Sequence, residues 1–526
     1  MKKYRTMFAF TEMKKLLPAA LLLCALQLNA QQQKGCVLTD ATLTRYVEVF
    51  NATDTQDVQN YIPDSKALAF MKANVPLLEC PDSTIEKIYY YRWWTLRKHL
   101  KQTPDGFIFT EFITPVKHAG KHNSVSSGLG HHIYEARWLR DTQYLNDYVR
   151  FWLQKDKTFK APRLHGFSGW VEDAVYQLYK VNMNKAFIRN LYPDMDTDYV
   201  GWEQERGLAS GLFWQYDVKD AMEESISGGR KVQNRRPSIN SYMYGNAMAM
   251  AAMANLLQKP DVAAAYNSKA TALRKVIQDS LWDASASFYK TRLQNGQLSD
   301  AREAIGFTPW YFCLPPDKAE LGNAWLQLTD TSGFMAPWGL TTAERRHPLF
   351  RTHGSGHSCE WDGAVWPFAS SQTLKGFANL LNYYRKYPKQ LNSAVFLGAV
   401  HQYALSHQKN GQPYIGEYQD ERNGYWLKGD NARSSFYNHS TFCDIIISDL
   451  IGLKPRVDNT LEVAPLLPEK SWEWFCLDKV LYHGHDITIL WDKTGSKYGK
   501  GKGLQIWVDG KKVAQSSKLK RITVKL

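Results

Sequence analysis

Ile239 to Leu257 reads INSYMYGNAMAMAAMANLL, with Tyr, Met, Ala and Leu on every face and no charge. Such a run predicts a helix buried all round. Pro237 suits its first turn, where the missing N–H costs nothing, and Pro260 closes the far end. In the next segment Tyr266, Ala270, Leu273, Ile277 and Leu281 recur at helical spacing with Lys269, Arg274, Lys275 and Asp279 between them, which predicts a helix with one apolar side. An inner helix followed by an outer one is one hairpin of a double ring.

The rest of the chain repeats this rhythm. Leu38 to Pro76 is polar and mixed and predicts short helices packed on the outside. From Ser83 a helix is expected with Ile85, Ile88, Tyr89, Trp93 and Leu96 on one side. Phe107 to Ile113 (FIFTEFI) reads as a short strand, and the Gly, Ser and Lys-rich loop Thr114 to Gly130 is long enough to expect a function. His131 to Trp152 predicts one helix, with Arg137 and Asp141 as an i, i+4 ion pair. Further helices are expected over Trp170 to Val181, Tyr199 to Leu208, Gly322 to Leu328, Thr373 to Tyr384 and Ser393 to His407. No strand–helix–strand rhythm appears, so a mainly α, (α/α)6 toroid of helical hairpins is expected. After Pro455 the pattern changes to alternation in VDNTLEVAPLLP, DITILW and GLQIWVDGKKVA, with a hairpin turn on Asp509-Gly510. This predicts a small C-terminal β-sandwich over 453–526, after a ring over 81–452 and a helical extension over 31–80.

Composition changes the picture in three places. Lys2, Lys3, Arg5, Lys14 and Lys15 precede LLPAALLLCALQLNA, the basic, apolar and small-residue order of a secretory signal over 1–30; an exported, periplasmic or secreted protein is expected. That apolar core is too short to span a membrane permanently. The net charge of +14 includes this signal and a Lys-rich tail from Lys497 to Lys525; with no nucleic-acid motif beside it, the tail reads as a solvated surface. Cys36, Cys80, Cys313, Cys359, Cys443 and Cys476 are dispersed, without CxxC or His at ligand spacing, so buried thiols are expected and no metal or cofactor. The oligomeric state is not legible.

Candidate chemistry concentrates in loops. Trp214 to Asn246 places Asp217, Asp220, Glu223 and Glu224 in a Gly-containing segment before the buried helix, and loops held by rigid elements are where sites form. Trp338 in GFMAPWGL, and Trp361, Asp362 and Trp366 in CEWDGAVWP, offer rings for sugar faces. Glu417 and Tyr418 stand in YIGEYQDERNGYW, His439 in Asn438-His439-Ser440, and Arg140 with Asp141 forms a couple able to hold adjacent sugar hydroxyls.

These motifs resemble the inverting six-hairpin glycosidases that include trehalase, processing α-glucosidase I and mannosylglycerate hydrolase. Their Gly-Met-Asp-Asn-Ser type motif is similar to Ala221-Met222-Glu223-Glu224-Ser225, their Trp-x-Gly-Pro-x-Trp-Pro pattern to Trp361–Pro367, and their late Glu-Tyr to Glu417-Tyr418. The resemblance implies an acid at Glu223 and a base at Glu417. Glu in place of Asp at the acid position leaves Asp220 open either as the orienting group or as the acid itself. Trp214, Trp338, Trp361, Asp362, Trp366, Tyr418, His439, Arg140 and Asp141 are the expected sugar-binding residues. The function expected is an exo-acting glycoside hydrolase taking a terminal, α-linked sugar from an oligo- or polysaccharide with inversion. The alternatives are an inactive carbohydrate-binding protein on this scaffold, or a toroid polysaccharide lyase, which needs a Tyr or His base in a basic subsite; the loops named show no concentration of those groups.

Overall fold

The computed structural model describes residues 36–58, 60–155, 164–352 and 359–526; the expected signal, 1–30, lies outside them. Among the described residues six stretches are buried on nearly every side: Leu129–Ala136, Val171–Asn182, Pro237–Leu256, 304–311, Pro367–Tyr383 and 443–450. They alternate along the chain with Ser83–His99, Gln143–Arg150, Lys185–Arg206, Pro260–Leu281, 319–328 and Ser393–Leu405. The first set is the inner ring and the second the outer ring of an (α/α)6 toroid. Pro237–Leu256 is apolar on all faces because other helices surround it, whereas Pro260–Leu281 buries only Ala263, Tyr266, Ala270, Leu273, Ile277 and Leu281. Each large apolar side chain so buried contributes about 1.5–3 kcal/mol.

Close packing of inner helices needs small residues where rings cross them. A methyl group at Gly130 would lie 2.3 Å from Trp170, whose ring is itself fully enclosed. Gly130→Ala therefore costs about 1–3 kcal/mol, the overpacking penalty, despite Ala's better helix propensity. A urea-unfolding midpoint at or above the parent's contradicts this packing.

Several elements differ from expectation. Ser83–His99 is buried on nearly all sides because Ala41–Thr53 and Asp64–Asn74 cover its outer face. Tyr46 donates to Glu86 (3.0 Å), Trp94 to Asn51 (2.8 Å) and Arg97 to Asp64 (2.7 Å). The single helix expected over His131 to Trp152 is broken, because the ring must turn from inner to outer layer. Arg137 does not pair with Asp141; its guanidinium bonds Asp444 of the inner ring at 2.6 and 2.9 Å, since a buried charge requires a partner more than an exposed one does. Tyr199 to Leu208 is the end of a longer helix, Lys185–Arg206, which Asn184 starts by accepting from the Phe187 N–H (3.0 Å). The strand expected over Phe107 to Ile113 stops at Phe109 and pairs with Leu100–Thr103, freeing Thr110 and Glu111 for another use.

The C-terminal region is two antiparallel sheets. One has the order Leu77–Glu79, Trp474–Tyr482, His485–Asp492, Gly503–Val508, Lys511–Ser516; the other joins Leu453–Lys454, Thr460–Val463 and Ile522–Lys525. The first strand of the larger sheet comes from the N-terminal extension, with Leu77 opposite Asp478. Asp509 and Gly510 both adopt positive φ, 48° and 75°, in the hairpin turn. No helix among the described residues is long and apolar enough to cross a membrane.

Candidate active site

A cavity of about 330 Å³ opens where the inner helices begin. Segments leading into five of them reach it: Ser127 before Leu129–Ala136, Phe167 before Val171–Asn182, Glu223 before Pro237–Leu256, Trp366 before Pro367–Tyr383, and Glu417 and His439 before 443–450. The helix starts turn the positive end of the helix dipole toward this space; at 443–450 the first N–H groups are taken by the Glu135 carboxylate.

The loop carrying Glu223 is rigid by construction. Gln215 and Asn234 close its neck (2.9 Å), and the Asp217 carboxylate accepts from the Val218 and Gly229 N–H groups at 2.6 and 2.9 Å. Asp220 is buried and accepts from Arg236 Nε at 2.9 Å and from the Ser238 hydroxyl, both at the start of the helix behind. Ala221 and Glu224 flank Glu223 in left-handed conformations, φ 58° and 62°. Non-Gly residues held there store about 1–3 kcal/mol each, a cost typical of functional loops. Burial, and after it the charge of Glu417, pushes the Glu223 carboxyl up to about 7.

Glu417 lines the same cavity from a different loop. Its N–H donates to Ser434 Oγ (3.1 Å), while Lys428 Nζ at 3.3 Å and Arg433 Nη2 at 3.5 Å face its carboxylate. Cys359 Sγ lies 3.4 Å from the same group, and burial pushes that thiol up. Behind the two acids Trp361, Trp366 and Tyr418 form a stack, with ring centroids 4.8 and 4.6 Å apart. Trp366 faces the cavity, and the Trp361 N–H donates to the Glu223 carbonyl (3.2 Å), coupling the stack to the acid loop.

The structure brings Glu223, Glu417, Trp366 and His439 to the cavity wall, with Trp361 and Tyr418 behind it. The remaining expected residues lie elsewhere. Asp220 is consumed by Arg236 and Ser238. Arg140 turns to Asp486 of the C-terminal sheet, and Asp141 starts Gln143–Arg150 by accepting from the Gln143 N–H (2.9 Å). Trp214 lies under Arg206, whose guanidinium is 4.6 Å from its ring, Trp338 packs on Gly424, and Asp362 pairs with Arg351. In each case a nearer structural partner claims the side chain.

Six polar residues at the cavity were not singled out in the sequence: Glu111, His118, Ser127, Lys428, Arg433 and Tyr437. Tyr437, His118, His439, Lys428 and Arg433 together correct the expectation that Tyr, His and basic groups are not concentrated here. Their states do not suit proton abstraction, however. Tyr437 donates to Glu111 at 2.6 Å and burial pushes its phenol well up, while both cations face Glu417. Burial also holds His439 well below its ordinary value, as a neutral imidazole. A signal for Glu111 existed, an acid between aromatics directly before the loop read as functional.

The family model of the mannosylglycerate hydrolase MGH1-like glycoside hydrolase domain matches residues 121–440, and that of the glycosyl hydrolase family 65 C-terminal domain matches 454–515. A solved structure named sialidase is 47% identical with a TM-score of 0.89, covering 92% of this chain and 44% of its own. The GH63 mannosylglycerate hydrolase from Thermus thermophilus, in complex with Tris, is 13% identical (TM-score 0.52, 68% of this chain, 99% of that one). The GH78 family rhamnosidase of a Bacillus species is 12% identical (TM-score 0.60, 82% and 41%). These last two are likenesses of fold. An uncharacterised protein of Borreliella burgdorferi is 23% identical over 208 residues, 39% of this chain and 41% of that protein. The chain thus spans less than half the length of both the sialidase structure and the Borreliella relative.

Proposed function

Because this chain belongs to the mannosylglycerate hydrolase MGH1-like glycoside hydrolases, we propose that it hydrolyses the bond to a terminal, α-linked sugar with inversion, Glu223 acting as acid and Glu417 as base. The observation that supports this reading is that two carboxyl groups from distant loops, Glu223 and Glu417, line one sugar-sized cavity. Inversion needs one protonated carboxyl at the leaving oxygen and a second about 6.5 to 9.5 Å away, with a water between. Glu223, pushed up to about 7, suits the first role; Glu417 suits the second. Asp220, locked to Arg236, positions the acid loop. A space for one ring with its waters favours chain ends, hence exo-action. The basic, apolar and small-residue order of residues 1–30 supports export.

The test is sugar release from a panel of α- and β-linked oligosaccharides, sialosides included because of the 47% identical sialidase, with the anomer of the product read by NMR before mutarotation. An enzyme with this mechanism yields the opposite anomer from its substrate. Retention, or an absorbance rise from unsaturated products as a lyase gives, overturns the reading.

The pH dependence follows from the acid. Glu223 must carry its proton to donate it, so kcat/KM holds up to about pH 7 and falls about tenfold per unit above. Glu417, Asp217 and Arg230 act on this carboxyl, and Glu111, itself pushed up to about 7 by burial, lies within reach of its charge. The fall therefore reports the coupled group of acids. A profile that rises through pH 7 to 8 removes Glu223 from this role.

A further inference from the structure

The carboxyl group of Glu111 has no role in the hydrolysis just described, yet it is buried in the cavity wall. The hairpin Leu100–Thr103/Gly106–Phe109 ends immediately before it, and its backbone is pinned on both sides. The Thr110 N–H donates to the His99 carbonyl (3.0 Å), Asn438 Nδ2 to the Thr110 carbonyl (3.1 Å), and the Asn438 N–H to the Glu111 carbonyl (3.0 Å). The side chain is aimed as firmly. Ser127 Oγ donates to one oxygen, and Tyr437 Oη to the other at 2.6 Å. Those donors come from segments entering two different inner helices.

Some buried carboxylates of this protein meet a cation, as Glu135 meets Arg92, Asp444 Arg137 and Asp449 Lys375 and Lys454; others, as Glu303 and Asp478, are held by N–H and hydroxyl donors instead, away from the cavity. Among the described residues no Lys, Arg or His lies within ion-pair distance of Glu111. A carboxylate has about four acceptor sites, and two hydroxyl donors leave about half of them unused. A buried acceptor in that position is costly unless something donates to it. In a cavity that takes a sugar, the available donors are ring hydroxyls.

Resting on the reading of this cavity as the terminal-sugar site, we propose that Glu111 holds a ring hydroxyl of the terminal sugar and so sets which sugar is accepted. The donors from Ser127 and Tyr437 fix the carboxylate in place before the sugar arrives, so little rotamer freedom is lost on binding. A hydroxyl bonded to this buried carboxyl group discriminates against a sugar lacking it, because removal leaves the acceptor buried and under-satisfied.

The experiment is calorimetric titration of the full chain with hexoses, 6-deoxyhexoses, pentoses and sialic acid, followed by the monodeoxy analogues of whichever sugar binds. The parent is expected to bind one deoxy analogue about 10- to 100-fold more weakly than its sugar. Glu111→Gln is expected to bind the sugar weakly and to treat that analogue and the sugar alike; its KM rises more than its kcat falls. Glu111→Asp, which keeps the carboxyl group but withdraws it by one methylene, gives the same pattern and serves where Glu111→Gln melts early. Should either folded variant keep the parent's affinity and discrimination, Glu111 is only an anchor for its loop and this inference is lost while the hydrolase reading stands. Should the parent bind no sugar and release none, the hydrolase reading falls first and takes this inference with it.

Discussion

Glu417→Gln lowers kcat by about 10²- to 10⁴-fold on the glycoside that the parent cleaves and leaves KM within a few-fold, because water is no longer deprotonated while the amide keeps the shape of the site. The loop is expected to stay in place, since the Glu417 N–H still donates to Ser434. Glu417→Ala leaves a space that azide can enter; the product then is a glycosyl azide of inverted configuration, formed at a rate that rises with azide concentration. Glu223→Gln behaves differently. It loses about the same factor on natural glycosides but much less on aryl glycosides, whose leaving oxygen needs no proton. Stopped assays on both substrate types separate the two roles. Retention of more than a tenth of the parent rate by Glu417→Gln removes it as the base.

The second large effect is on stability. Arg236→Met is expected to cost about 3–5 kcal/mol, because it leaves Asp220 buried without its counter-ion. Arg236 also donates to Ser225 Oγ (3.2 Å), so the whole acid loop loses its hold on the Pro237–Leu256 helix. The double variant Asp220→Leu, Arg236→Met recovers a large part of the loss, since an apolar pair needs no compensation. The exposed pair Lys275–Asp279, whose side chains are 78% and 55% accessible, sets the contrast: Lys275→Ala shifts stability by under about 1 kcal/mol. Urea unfolding of the parent and the three variants gives these numbers. Equal, small losses for Arg236→Met and Lys275→Ala would show that Asp220 is hydrated and that its pair with Arg236 does not hold the loop.

The hold of Arg236 and Ser238 on Asp220 also explains why local sequence divided so poorly between Asp220 and Glu223. Both stand on the same loop, three residues apart, with similar neighbours. The difference is made by Arg236 and Ser238, which reach back to Asp220 across the loop's neck, while the left-handed residues Ala221 and Glu224 turn Glu223 into the cavity. The aromatic motif was legible in the same partial way. Trp361 and Trp366 lie together as read, but the stack they form with Tyr418 presents only Trp366 to the cavity.

Periodicity along the chain was enough to establish the alternation of fully apolar and one-sided helices, and with it the double ring and the β-rich end. These follow from burial, which acts on every residue of a helix at once and so leaves a repeated trace. Local spacing also drew attention to the acid loops, since Gly, Trp and carboxylates clustered between helices. Which polar side chains face the cavity was decided only by tertiary structure. Arg137, Arg140, Asp141 and Asp362 were claimed by Asp444, Asp486, the Gln143 N–H and Arg351 respectively, and Glu111 gained its place from Ser127 and Tyr437. A charge or hydroxyl is committed by the partner within about 3 Å of it, and in a ring closed on itself that partner can stand hundreds of residues away, as Asp444 does from Arg137.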